Sequence, residues 1–81
     1  MPEFSEEAVM QAMAESCGLN TERMSLNQHL RDDHEIDEEA RLDLRTWLEE
    51  EFGIDISVPA MEQCLTVEDV VELVRQCVDQ D

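Results

Sequence analysis

Positive charge is what this 81-residue chain has least of: five basic residues stand against 22 acidic ones, for a formal net charge of −17. A nucleic acid is excluded as a partner, because phosphate backbones are held by Lys and Arg. The same field makes the compact state repel itself, so folding is expected to gain from salt or divalent cations. A basic protein surface is the natural complement. No apolar run approaches the roughly 20 residues that cross a bilayer, and no membrane association is expected. The N-terminus shows no basic segment followed by an apolar one, the pattern of a secretory leader. Cys17, Cys64 and Cys77 form an odd set without paired spacing. They read as small packing residues of a reduced, cytoplasmic protein rather than as a disulfide framework.

The chain is short enough that one domain, residues 1–81, is the expectation, and folding at this size buries only about 60% of the surface of the unfolded chain. Apolar residues make up 42% of it, sufficient for one small core. A monomer is expected.

Helical spacing carries the rest. Ser5 is placed to cap a first helix, with Glu6 and Glu7 in the turn where the helix dipole favours anions. Val9, Met13 and Cys17 form its apolar stripe with Met10 beside it, and Gly18 is its stop signal. A long, polar connection follows from Leu19 to Ile36, expected as a loop pinned by Leu19, Met24, Leu26 and Leu30. A second long helix is predicted from Asp37, a capping residue, to Phe52, with Gly53 as the stop. At about 100° per residue, Ala40, Leu44, Trp47, Leu48 and Phe52 share one face; Glu39, Asp43, Thr46 and Glu50 share the opposite one, with Leu42 at its border. The segment Ser57 to Gln63 has room for one short helical turn, Pro59 being tolerated near its start. A last helix starts at Thr66, which forms a capping box with Asp69, and its stripe is Val67, Val70, Val71, Val74 and Val78. The predicted fold is all-α, a four-helix bundle of three long helices and one short one, closed by a long first loop.

Chemistry is sparse. No nucleophile has a matched base, the cysteines lie far in sequence from His29 and His34, and no glycine-rich loop offers to cradle a phosphate. The acidic cluster Asp32, Asp33, Glu35 and Asp37 fails as an EF-hand, because its sixth and twelfth positions counted from Asp33 are Glu38 and Leu44. His29 and His34 read as surface residues rather than zinc ligands. A non-enzymatic protein without a metal is expected.

The order of helix, long connection, acidic helix, short turn and valine-rich helix resembles the acyl carrier protein family. Gly18, Leu19, Met24 and Leu30 stand where that family has the end of its first helix and the apolar positions of its first loop. Leu42, Leu44, Leu48 and the run Glu49-Glu50-Glu51-Phe52 continue the register of its second helix, and Thr66-Val67 matches the start of its last. The family's Asp-Leu-Gly-x-Asp-Ser-Leu motif is altered. Asp33 and Asp37 occupy its two aspartates, while His34, Glu35, Glu38 and Glu39 replace its Leu, Gly, Ser and Leu. In the family the serine carries a 4′-phosphopantetheine arm. The resemblance places Glu38 there, so no cofactor attachment is expected; Ser25 and Ser57 do not match the position.

What the resemblance implies is a carrier-like module that lacks the arm and works through its surface, since the family's acidic second helix docks onto basic patches of synthases and transferases. The expected partner-binding residues are Glu38, Glu39, Leu42, Asp43, Glu49 and Glu50. Such a module would regulate, compete with or scaffold enzymes of fatty-acid or polyketide assembly. Two alternatives stand beside it: a working carrier loaded through an atypical attachment, such as a cysteine thioester, and an acidic decoy that mimics nucleic acid. Arg45 falls where the family has an aliphatic residue and Trp47 is bulkier than usual there, which together suggest a filled interior rather than an acyl pocket.

Overall fold

Each long helix begins at the capping side chain that the sequence offers for it. The computed structural model describes residues 4–79. Ser5 accepts the Ala8 N–H at 3.0 Å and opens α1, Glu6–Cys17. After a 3₁₀ turn at Thr21–Arg23 come α2 (Leu30–His34), α3 (Glu38–Phe52), α4 (Val58–Glu62) and α5 (Val67–Asp79). Asp37 caps α3 by accepting the Ala40 N–H, and Ser57 caps α4 by accepting that of Ala60. Thr66 and Asp69 complete the capping box at α5: Thr66 Oγ1 accepts the Asp69 N–H at 3.2 Å and Asp69 Oδ2 accepts the Thr66 N–H at 3.1 Å. Gly18 and Gly53 end α1 and α3 at φ 71° and 64°, a left-handed conformation that costs glycine little.

The helices bury one shared core. α1 packs on α3 and α5, and α4 lies against α3 and α5. Val9 and Met13 of α1 meet Leu44, Leu48 and Phe52 of α3, Met61 of α4, and Val67, Val70, Val71 and Val74 of α5. Leu30 and Ile36 are driven in from the first connection. No strand occurs among the described residues; His29 and Thr66 form an isolated antiparallel bridge. The fold is thus the all-α bundle expected, with three long helices and, among the described residues, two short ones rather than one.

Two details differ from the sequence reading. The connection from Leu19 to Ile36 is not a plain loop, since it contains both the 3₁₀ turn and α2. Asn20 caps the turn, and Asp33 Oδ2 accepts the His29 N–H at 2.7 Å to hold the start of α2. The connection is also stitched to α5: the Leu30 N–H donates to the Leu65 carbonyl, and the Val67 and Glu68 N–H groups donate to the carbonyls of Gln28 and Leu26. Those last two bonds satisfy amides in the first turn of α5 that have no partner within the helix.

The second difference concerns the interior. Trp47 is 38% exposed, so it is a surface side chain rather than part of the core face. Arg45 does not fill the core either: its Nη1 donates to the Ile56 carbonyl at 2.7 Å and to Glu49 Oε1 at 3.0 Å. The core is closed instead by the aliphatic and methionine side chains named above.

Candidate functional site

The altered motif lies in the short corner between α2 and α3. Glu35 is its hinge, with φ 55° and ψ 33°, the one non-glycine residue at positive φ among those described. A left-handed conformation at a residue with a Cβ costs about 1–2 kcal/mol, so the corner is held by other bonds. The Glu35 N–H donates to the Arg31 carbonyl at 3.1 Å and the Ile36 N–H to the Leu30 carbonyl at 2.9 Å. Ile36 is buried beside them. Both aspartates of the motif are engaged with backbone, Asp33 at the start of α2 and Asp37 at the start of α3. His34 Nε2 lies 2.7 Å from Gln28 Oε1, which makes it a link within the first connection, while His29 is exposed.

This scaffold presents Glu38 and Glu39, both exposed, in the first turn of α3. Carboxylates there face the positive end of the helix dipole, a favourable placement. A cleft of about 420 Å³ opens beside them, lined by Arg31, Ile36, Asp37, Glu38, Arg41 and Glu62. Arg41 Nη1 donates to the Glu62 carbonyl at 3.0 Å, tying α3 to the last residue of α4.

Along α3 the charges divide by side. Towards α4, Arg41 is bonded to Glu62, and Arg45 and Glu49 form a clamp: Glu49 Oε2 accepts the Ile56 N–H at 2.8 Å while Arg45 takes the Ile56 carbonyl. Glu49 is therefore occupied in holding the α3–α4 connection. On the outward side Glu39, Leu42, Asp43, Thr46, Trp47 and Glu50 are all exposed. The ion pairs among the described residues are Arg45–Glu49 and Arg75–Glu72, so Glu39, Asp43 and Glu50 enter none. Leu42 and Trp47 stand at either edge of this acidic strip, 37% and 38% exposed. The sequence reading missed Trp47 as a surface residue. Its angle was the available signal, because Trp47 lies about 100° from Leu48, on the edge rather than the centre of the buried stripe.

The thiols are poorly suited to nucleophilic attack. Burial, with help from nearby Asp69, pushes Cys64 up to about 11, and burial also raises Cys17, with Asp43 adding to it. Both stay protonated near neutral pH, whereas the thiolate is the reactive form. Cys77 Sγ donates to the Asp55 carbonyl at 3.5 Å. Among the described residues no three His, Cys, Asp or Glu side chains gather to hold a metal ion, and no helix is long and apolar enough to cross a membrane.

The phosphopantetheine attachment site family matches residues 7–74 of the chain. No curated protein matches it significantly. Domains of this family are generally not catalytic themselves and normally carry 4′-phosphopantetheine. Joining that group as a phosphodiester requires a hydroxyl, and Ile36-Asp37-Glu38-Glu39-Ala40 offers none. The first hydroxyl within α3 is Thr46, whose Oγ1 donates back to the Leu42 carbonyl at 3.3 Å. Ser57 caps α4, and Ser25 Oγ donates to Asn27 Oδ1. The residues at the start of α3 do not fit the covalent group.

Proposed function

Because the chain belongs to the phosphopantetheine attachment site family of carrier-like helical domains, we propose that it is a carrier without an arm, a non-enzymatic module that occupies basic docking surfaces of carrier-dependent synthases or transferases. The observation that carries this reading is the contrast at α3. Its first turn holds Glu38 where the family resemblance places the attachment serine, while its outward face keeps unpaired acids around Leu42. Electrostatic complementarity of that kind sets encounter rate and partner choice. Occupying such a surface without delivering a substrate makes the protein a regulator or adaptor of fatty-acid or polyketide-type enzymes, acting in the cytoplasm as a single domain.

Within the docking set, Glu39, Leu42, Asp43 and Glu50 face the partner, Glu38 borders them at the first turn beside the cleft of Arg41 and Glu62, and Glu49 supports them from behind through its bonds to Arg45 and Ile56. The test is competition. A purified ketosynthase is assayed with its loaded carrier while this protein is added. Inhibition that is relieved by more loaded carrier and weakened by salt is the expected result; turnover unchanged at high excess overturns the proposal.

A further inference from the structure

Trp47 is the one tryptophan of the chain, and it sits on the surface of a helix whose core positions are filled by Leu44, Leu48 and Phe52. Exposed tryptophan is costly to leave in water, since its ring carries a large apolar area. At 100° per residue, Trp47 and Leu42 flank Glu39, Asp43 and Glu50, so two apolar edges enclose an acidic strip on one face. Neither of the basic residues of α3 is on that face. Arg41 and Arg45 turn the other way, onto the carbonyls of Glu62 and Ile56. The face therefore lacks internal neutralisation and has an aromatic anchor at its rim.

We infer that Trp47 is the anchor of the docking face: it inserts into an apolar pocket that the partner carries next to its Arg or Lys residues. The occupant is a basic protein surface, chosen by the charge of the strip. Arg beside the pocket stacks on the indole face as well as pairing with Asp43 or Glu50. Trp and Arg are the residue types that dominate interface energies when they are seated in desolvated pockets. The inference rests on the docking reading above and adds what that reading leaves open. Charge makes the partner approach, and Trp47 selects a partner with a pocket large enough for an indole.

The test uses the full chain labelled with 5-fluorotryptophan, which gives one ¹⁹F resonance because there is one tryptophan. The probe is the ketosynthase of the competition assay. A saturable shift of that resonance, with Trp47→Ala weakening affinity about 30-fold and Trp47→Phe by less, is the expected result. Circular dichroism of both variants checks that the fold is kept. Should Asp43→Lys abolish binding while the resonance stays unmoved and Trp47→Ala binds normally, the anchor is refuted and the docking reading stands. Absence of any binding by the unaltered chain sinks both.

Discussion

Both sides of α3 carry acidic residues, and they use them differently. Facing α4, Arg41, Arg45 and Glu49 are bonded to the backbone of Ile56 and Glu62, and together they fix the connection between α3 and α4. Facing solvent, Glu39, Asp43 and Glu50 have no ion pair and stand between Leu42 and Trp47. A count of acidic residues treats Glu49 and Glu50 alike. Their partners separate them: Glu49 is bonded to Arg45 and to the Ile56 N–H, while Glu50 enters no ion pair among the described residues.

That division makes opposite predictions for neighbouring substitutions. The largest effect is expected for the double variant Asp43→Lys with Glu50→Lys, which should lose affinity for the ketosynthase by 100-fold or more, of the order of 3 kcal/mol. Its urea midpoint should hold or rise, because the change relieves like-charge repulsion. Glu49→Ala should do the reverse. It leaves the Ile56 N–H and the Arg45 guanidinium short of an acceptor, costing roughly 1–2 kcal/mol in urea unfolding, and its affinity for the ketosynthase should fall little. If Glu49→Ala abolishes docking at unchanged stability, the two sides are not distinct in the way described.

A smaller effect belongs to the cap of α5. Donors from the backbone of Leu65 and Thr66 hold the Asp69 carboxyl below the usual carboxylate range. A group with its folded pKa depressed contributes stability above its unfolded pKa and loses it as pH falls through the folded value. Asp69→Asn should cost about 1 kcal/mol at neutral pH and should flatten the acid side of the stability curve. A variant whose pH dependence matches that of the parent would remove Asp69 from this role.

The smallest effect is a gain. Glu35→Gly relieves the left-handed strain at the corner, offset in part by the greater freedom of glycine in the unfolded chain, so stabilisation of about 0.5–1 kcal/mol is expected. The docking face is untouched by this change and affinity should not move. A loss of stability would mean that the Glu35 side chain itself supports the corner.

Caps and periodic stripes made most of this fold legible in the sequence. Ser5, Asp37, Ser57 and Thr66 each begin a helix where a side-chain oxygen is able to accept a backbone N–H, and Gly18 and Gly53 each end one. α2 was hidden because five residues with one buried side chain, Leu30, give no period to read. It is held by Asp33, which accepts the His29 N–H, and by the tertiary bond from the Leu30 N–H to the Leu65 carbonyl, which no local pattern announces. Trp47 was misplaced for a related reason. Hydrophobicity assigns a tryptophan to the core, but the core here is filled by smaller side chains and the indole is left at its edge. At the start of α3 the chemistry is legible from residue type alone, since Glu38 offers no hydroxyl whatever its conformation. What only the structure supplies there is the corner, where Glu35 adopts a left-handed backbone conformation of the kind glycine favours.

The central claim is that this chain retains a carrier's recognition helix without the means of being loaded. Intact mass measured after incubation with coenzyme A, magnesium and a broad-specificity phosphopantetheinyl transferase tests it most directly, with a conventional carrier protein in the same tube as the positive control. The account predicts that the control gains the mass of one 4′-phosphopantetheine while this protein keeps its unmodified mass. A gain of that mass by this protein would contradict it.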